Sequence, residues 1–215
     1  MNYLRPLFSL LLLGFVLWRN LPGALLCLKP GLTRARKGSE DDKGVDDSLF
    51  EQMSAELAPL GFQRLGVHYE KAPLRRALLS YDFVHPAEQA FGSAFRYGKH
   101  VRFYLLTPFR KGGFVLTADH KRYGSERDGY LVGGVPGATP EQLLAAHRRR
   151  VARLKEQGFE LEGELSLDAR VEAASRWFAG AGVREIRLRH MNAFLIFGIG
   201  LVLVAAILVG VARSP

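Results

Sequence analysis

The longest uncharged stretch of the chain lies near its end, where residues 193–211 form a run of nineteen apolar residues. A helix of that length is roughly 28 Å long, which is close to the hydrocarbon thickness of a bilayer. The run is apolar on all sides, as is typical of contact with lipid, whereas a core helix has one polar face. Arg184, Arg187 and Arg189 precede it and Arg213 follows it. The pattern therefore predicts a transmembrane helix over residues 192–212 with basic flanks.

A second apolar run, residues 7–18, opens the chain and is short for a membrane span. It continues past Arg19 and Pro22 into a further apolar segment that ends at Leu28. Three interpretations remain open: a cleaved signal peptide, a short span from Tyr3 to Trp18, or a longer kinked span to Leu28. No clear small-x-small cleavage site follows the run, so we favour an uncleaved N-terminal membrane segment over residues 3–28.

Residues 29–46 are polar, contain glycine and lack periodicity, which predicts a flexible linker. Residues 47–185 have the size and patterning of a single soluble domain. Its first helix is predicted from the Ser48-x-x-Glu51 capping box and is expected to end at Gly61. Its apolar positions recur at helical spacing and are Phe50, Met53, Leu57 and Leu60.

The hydrophobic period then changes from about 3.6 to two, which indicates β-strands. Five strands are predicted in residues 62–71, 76–85, 89–98, 101–109 and 113–120, with a possible sixth at 129–133 after an Asp128-Gly129 turn. Short links between successive strands favour an antiparallel sheet with one packed face and one wetter face. Two or three helices are expected to cover the packed face.

Two further helices follow. One begins at Thr139, and its apolar stripe is Leu143, Leu144, His147, Val151 and Leu154. His147 is interpreted as a core histidine because it lies on this stripe. The last helix begins at Ser166, with a predicted stripe of Leu167, Val171, Ala174 and Phe178. The fold class is therefore α+β, an antiparallel sheet of five to six strands packed by two to three helices and flanked by membrane helices.

A repeated Leu-x-x-x-Gly-Phe pattern marks two expected helix ends. It occurs at Leu57–Phe62 and again at Leu154–Phe159. A glycine just past a helix adopts the left-handed conformation, and the residue after it packs back on the last turn. Gly61 and Gly158 are therefore predicted to be left-handed.

The net charge of +9 is unevenly distributed. Residues 1–45 carry seven Lys or Arg against three Asp or Glu, whereas residues 46–185 carry twenty against eighteen. The excess lies beside the apolar runs, so it argues for membrane topology and against nucleic-acid binding. Basic residues at the inner ends of both runs predict a cytoplasmic central domain, anchored in the plasma (inner) membrane with both termini outside. The alternative is a cleaved signal peptide followed by a single anchor, which would place the domain outside.

Candidate chemistry is sparse. The chain has one cysteine and no nucleotide-binding, metalloprotease or hydrolase motif, so no cofactor and no metal site are predicted. His85, Asp119 and His120 lie near predicted strand ends and are weak catalytic candidates. Asp119 and His120 are adjacent along a predicted strand, so their side chains are expected to point to opposite faces.

Four arginines cluster on the predicted helix after Thr139, and they are candidates for binding anionic lipid or an acidic partner. They are Arg148, Arg149, Arg150 and Arg153. The main functional hypothesis is a membrane-anchored, non-catalytic binding or interaction domain. Its expected partners are the bilayer and either a protein or anionic headgroups. The alternative hypothesis is a membrane-associated enzyme that uses the histidine and aspartate residues at strand ends.

Overall fold

The computed structural model describes residues 4–127 and 129–212, and this part of the chain has an α+β fold. The helices are α1 (Leu4–Leu28), α2 (Asp47–Leu57), α3 (Pro140–Glu156), α4 (Leu167–Ala179) and α5 (Val183–Ala212). The strands are β1 (Arg34–Lys37), β2 (Gln63–Lys71), β3 (Leu78–His85), β4 (Ala90–Tyr97), β5 (His100–Pro108), β6 (Phe114–Ala118), β7 (Ser125–Arg127) and β8 (Tyr130–Gly134).

The strands form one mixed sheet in the order β1-β2-β3-β4-β5-β6-β8-β7. Neighbouring strands are antiparallel except for β6 and β8, which are parallel. The expectation of a purely antiparallel sheet of five to six strands was therefore wrong in both respects. After β6 the chain forms the outer strand β7 and reverses direction at Gly129. β8 then lies between β6 and β7 and runs parallel to β6.

The two strands that the sequence pattern missed, β1 and β7, lie at the edges of the sheet. β1 has the sequence Arg-Ala-Arg-Lys and lies inside the segment predicted as a flexible linker. Short charged strands are common at sheet edges because they discourage pairing with other chains. The side chains of β1 are exposed or only partly buried, so this strand leaves no hydrophobic alternation in the sequence.

Helices cover both faces of the sheet, whereas the sequence predicted one covered face. The inner strands have two buried faces: β3 alternates Tyr81 and Phe83 with Asp82 and Val84, and all four are buried. Helices α2 and α3 pack on the face of Tyr81 and Phe83, and α4 packs on the opposite face. A sheet buried on both sides loses the clean alternation of a one-sided sheet.

Side-chain caps determine where α2 and α3 begin. Asp46 caps α2 because its Oδ1 accepts a hydrogen bond from the backbone nitrogen of Leu49 at 3.1 Å. The predicted cap, Ser48, lies inside the helix and donates to the same oxygen at 2.6 Å. The capping box predicted at Thr139 is present at the start of α3.

Both predicted glycine corners are left-handed, with φ of 92° at Gly61 and 87° at Gly158. The backbone nitrogen of Phe159 donates to the carbonyl of Leu154 at 3.1 Å. Both side chains belong to the apolar cluster between α3 and the sheet. The corner therefore closes the end of α3 by a hydrogen bond and an apolar contact together.

Substituting Gly158→Val should lower the free energy of unfolding by more than about 1 kcal/mol, because a β-branched residue is strained at positive φ. The position is otherwise open, since no atom lies within 4 Å of an added Cβ. Gly158→Asn is the matched control and should cost less, because Asn tolerates the left-handed region. Thermal unfolding of the full chain in detergent measures both variants. Equal melting temperatures for wild type and Gly158→Val would contradict the prediction.

Helices α1 and α5 pack against each other as an antiparallel pair. An added Cβ on Gly23 would lie 2.6 Å from the Cβ of Ala193, and one on Gly200 would lie 2.8 Å from Leu17. The residue number falls along α1 from Gly23 to Leu17 while it rises along α5 from Ala193 to Gly200, so the two helices run antiparallel. Glycine at these positions lets the two helix backbones approach closely. Both helices are long and apolar enough to cross a membrane.

Candidate functional site

A row of polar side chains crosses the sheet face that α4 covers. Asp82, Ser93 and Tyr104 lie opposite one another in the register of β3, β4 and β5. Arg170 of α4 donates to Ser93 Oγ from Nε at 3.1 Å and from Nη2 at 2.9 Å, and Nη2 also donates to Tyr104 Oη at 2.5 Å. Ser93 Oγ donates to Asp82 Oδ1 at 2.6 Å, and Arg170 Nε lies 3.3 Å from the same oxygen.

His68 and Glu70 of β2 extend this row into what we call the buried network, which consists of His68, Glu70, Asp82, Ser93, Tyr104 and Arg170. His68 Nδ1 lies 2.5 Å from Asp82 Oδ2, and His68 Nε2 lies 3.3 Å from Glu70 Oε1. Burial is the largest single influence and would lower the pKa of His68, but the Asp82 and Glu70 carboxylates together outweigh it and the pKa is raised. Burial alone would raise the pKa of Asp82, but His68 and Arg170 outweigh burial and the pKa is lowered. The buried network therefore favours the charged forms of His68, Asp82 and Arg170, in which positive and negative groups lie next to each other.

The buried network is closed to solvent except at Glu70, whose side chain is 19% exposed. His68, Asp82, Ser93 and Arg170 each have a relative exposure of 0%. A substrate cannot reach these groups without opening the sheet from α4. The network therefore holds α4 on the sheet, and it is not an open site for a ligand.

The apolar pattern of α4 does not predict Arg170, because it places the most apolar residues on the buried stripe. The predicted members Leu167, Val171 and Phe178 are only partly buried. The face that packs on the sheet consists of Arg170, Ala173, Ala174 and Trp177. These four positions have the i, i+3, i+4, i+7 spacing of one helix face, which was the available signal.

A second buried histidine lies on the opposite face of the sheet. His147 of α3 is hydrogen-bonded through Nε2 to Thr107 Oγ1 at 2.9 Å and through Nδ1 to Thr117 Oγ1 at 3.0 Å. Burial, with a smaller contribution from Arg150, lowers the pKa of His147 to about 3. This histidine is therefore neutral near pH 7, and the two threonines satisfy both of its ring nitrogens.

An open cleft of about 490 Å³ lies beside the start of α5. We call it the basic cleft, and its lining residues are Phe95, Tyr97, Arg102, His120, Lys121, Arg122, Tyr123 and Arg189. Tyr97 and Tyr123 are strongly exposed, at 70% and 49%. The cleft therefore combines four cationic side chains with exposed aromatic rings.

Glu185 at the start of α5 fixes two of the four cations. Its carboxylate is buried and accepts hydrogen bonds from Arg122 Nη2 at 2.7 Å and from Arg189 Nη2 at 2.9 Å. By contrast, Arg102 and Lys121 make no ion pair with a carboxylate in the part of the chain that the structure describes. The cleft thus holds two positioned guanidinium groups and two cations that are free to bind an anion.

The three weak catalytic candidates do not form one site. His85 is buried and packs edge-to-face on Phe62, with 5.0 Å between ring centroids. His120 Nδ1 lies 2.8 Å from Asp119 Oδ1, so the expectation that these side chains point apart was wrong. The reason is that β6 ends at Ala118, so both residues lie beyond the strand. His120 lines the basic cleft, whereas Asp119 lines a smaller cleft of about 170 Å³ beside the start of α3.

The four arginines of α3 are dispersed. Arg148 donates to Glu88 at 2.9 Å, and Arg153 pairs with a carboxylate of β7. Arg149, Arg150 and Arg153 line an open groove of about 610 Å³ against β8. Much of the positive charge in this groove is therefore already engaged with the protein.

The basic residues that flank the apolar runs are exposed where the structure describes them, namely Arg19, Arg184, Arg187 and Arg189. Arg213 lies outside the described residues. Of the four described, Arg189 is the one that contributes to the basic cleft. The backbone carbonyl of Arg187 accepts a hydrogen bond from the thiol of Cys27 at 3.8 Å.

Comparison with protein-family models, curated proteins and solved structures finds no match. Within the described ranges, no group of three or more His, Cys, Asp or Glu side chains is arranged to hold a metal ion. Any function must therefore be inferred from the geometry of the clefts and the apolar helices.

Proposed function

We propose that this chain is a membrane-anchored binding protein without catalytic activity, in which α1 and α5 cross one bilayer side by side. Both helices contact the turn at Pro30–Leu32 that follows α1, and they pack along each other. In this proposal the domain lies at the membrane surface, and its open clefts are the binding surfaces.

The observation that carries this proposal is the antiparallel contact of α1 with α5. Gly23 faces Ala193, which is the first residue of the long apolar run. Beyond this level, α1 extends from Pro22 back to Leu4 and α5 extends on to Ala212. These segments are about 28 Å and 30 Å long at 1.5 Å per residue, and each matches the hydrocarbon core. The matched lengths favour two spans over a cleaved signal peptide.

The domain is proposed to face the cytoplasm. Arg184, Arg187 and Arg189 stand on the domain side of α5, and basic residues near a span remain in the cytoplasm. Arg19 lies about one turn inside the level of Gly23, from which its long side chain reaches the interface. Antiparallel helices then place both termini on the other side of the membrane.

A binding role suits the open clefts better than catalysis does. His68, Asp82 and Arg170 of the buried network are inaccessible, and among the residues that the structure describes no Ser, Thr or Cys side chain lines the basic cleft. One observation favours the alternative of a membrane-associated enzyme: the hydrogen bond between Asp119 and His120 at the edge of that cleft. Such a pair can supply a general base.

Cysteine labelling tests the topology. In a Cys27→Ser background, which retains a hydroxyl that donates to the Arg187 carbonyl, a single cysteine is introduced by Asn2→Cys or by Lys155→Cys. A membrane-impermeant maleimide should label the Asn2→Cys protein on intact spheroplasts. It should label the Lys155→Cys protein only after permeabilisation, because the exposed side chain on α3 belongs to the cytoplasmic domain.

Labelling of Lys155→Cys on intact spheroplasts would place the domain outside and overturn the orientation. Loss of the Asn2→Cys label from the mature chain, together with a shortened mass, would identify a cleaved signal peptide. The parent Cys27→Ser protein, which has no cysteine, is the control for background labelling.

A further inference from the structure

We infer that the basic cleft binds the phosphate-bearing headgroup of an anionic phospholipid from the bilayer that α1 and α5 cross. This inference rests on the proposed membrane anchoring and specifies what the anchored domain binds. The ligand chemistry is a phosphate ester next to a membrane surface.

The charge of the basic cleft favours a phosphate ligand. Arg102 and Lys121 carry positive charge into the cleft without a carboxylate partner in the described ranges. Arg122 and Arg189 share the single carboxylate of Glu185, so this trio retains one positive charge. Arginine N–H groups bind phosphate oxygens through paired hydrogen bonds, and lysine adds a point charge. The cleft therefore retains an excess of positive charge even when the Asp119 carboxylate beside His120 is counted.

Two arginine side chains of the basic cleft are held in position before a ligand binds. Glu185 is buried and holds Arg122 and Arg189 in place on opposite sides of its carboxylate. The guanidinium of Arg122 also lies over the ring of Trp177, 5.6 Å from its centroid. Arginines fixed in this way lose little side-chain entropy when they bind a ligand. The cleft is therefore largely formed before the headgroup arrives.

The position of the basic cleft next to the proposed membrane surface favours a lipid over a free phosphate. Arg189 precedes Ala193 by four residues, so it lies about 6 Å along the helix axis from the proposed edge of the hydrocarbon. That depth corresponds to the headgroup region of the bilayer. The exposed rings of Tyr97 and Tyr123 line the same cleft, and tyrosine is enriched at membrane interfaces.

Native mass spectrometry of the full-length protein in a neutral detergent tests the inference. The probes are short-chain phosphatidylglycerol, short-chain phosphatidylcholine and soluble glycerol phosphate. The wild-type protein should bind phosphatidylglycerol in preference to phosphatidylcholine. The double variant Arg102→Gln/Lys121→Gln should bind phosphatidylglycerol about tenfold or more weakly, since each basic residue near anionic lipid contributes substantially. Neither side chain makes an ion pair with a described residue, so their replacement breaks no ion pair there; an unchanged melting temperature checks that the variant is folded.

The matched control is Lys43→Gln/Lys155→Gln, which removes two exposed positive charges that line none of the clefts described above. It should retain wild-type lipid binding. An equal loss in both double variants would show non-specific charge attraction and overturn the site. Equal binding of the two lipids by the wild-type protein would overturn it as well.

Soluble glycerol phosphate distinguishes the source of the phosphate. If it displaces phosphatidylglycerol at comparable concentration, the ligand is a free phosphate ester and the lipid assignment fails. Carbonate extraction of membranes reports anchoring separately. Extraction of the protein by carbonate would refute the proposed membrane anchor. Retention in the membrane without a lipid preference would refute the headgroup site alone.

Discussion

Arg170→Met should lower the free energy of unfolding by about 3–5 kcal/mol, because removing one partner of a buried ion pair leaves a buried charge uncompensated. Arg170 is fully buried and contacts Asp82, Ser93 and Tyr104. Without the guanidinium, the Asp82 carboxylate keeps only part of the positive charge that now surrounds it. A domain of this size loses roughly 2–4 °C of melting temperature per kcal/mol, so we expect a decrease on the order of 10 °C.

Arg153→Met is the matched control. It removes an arginine whose ion pair with Glu126 is exposed on both sides, at 52% and 58% of the side-chain area. Exposed pairs contribute about 0–1 kcal/mol, so this variant should melt near the wild type. Adding Asp82→Asn to Arg170→Met should recover part of the loss, because the unpaired carboxylate is then removed. Equal melting temperatures for the two single variants would show that the buried network does not stabilise the fold.

Acidification should destabilise the protein through His147 by on the order of 5 kcal/mol in total. The pKa of His147 is lowered from 6.5 to about 3 in the folded state, and each pKa unit corresponds to about 1.4 kcal/mol. The folded state resists the proton that the unfolded state accepts. The contribution is therefore fully present above pH 6.5, is lost as the pH falls, and is gone near pH 3.

Acidic side chains also titrate in this range, so a variant is needed to isolate His147. His147→Gln replaces the ring by a neutral amide that can still reach the hydroxyls of Thr107 and Thr117. The variant should be less stable than the wild type at pH 7, because its hydrogen bonds are less well placed. The difference should shrink and then reverse as the pH falls from 6.5 towards 4. A stability difference that is constant over this range would show that His147 does not resist protonation.

The strands and helix ends that the sequence predicted correctly are those that local chemistry specifies. The capping box at Thr139 satisfies the first turn of α3 without any distant contact. The glycine corner at Gly158 needs positive φ whatever packs around it. Alternating apolar residues predicted the inner strands, because burial selects the same residue types at every second position.

The candidate site was less predictable because its residues come from distant parts of the chain. Arg102, Lys121 and Arg189 lie on β5, on the loop after β6 and on α5, and no local spacing connects them. The arginines of α3 are close together in the sequence, and the sequence therefore predicts a binding site there. In the folded protein, however, Arg148 and Arg153 form ion pairs and Arg150 reaches the sheet.

The sequence by itself determined the two long apolar segments, the capped helices and the inner strands, since each depends on residues that are close together along the chain. Tertiary structure alone decided the parallel pairing of β8 with β6, the second covered face of the sheet and the burial of Arg170. These features depend on which surfaces meet across the fold. A buried arginine in particular is stable only where it contacts a carboxylate. Arg170 contacts Asp82 on β3, which lies 88 residues away in the chain.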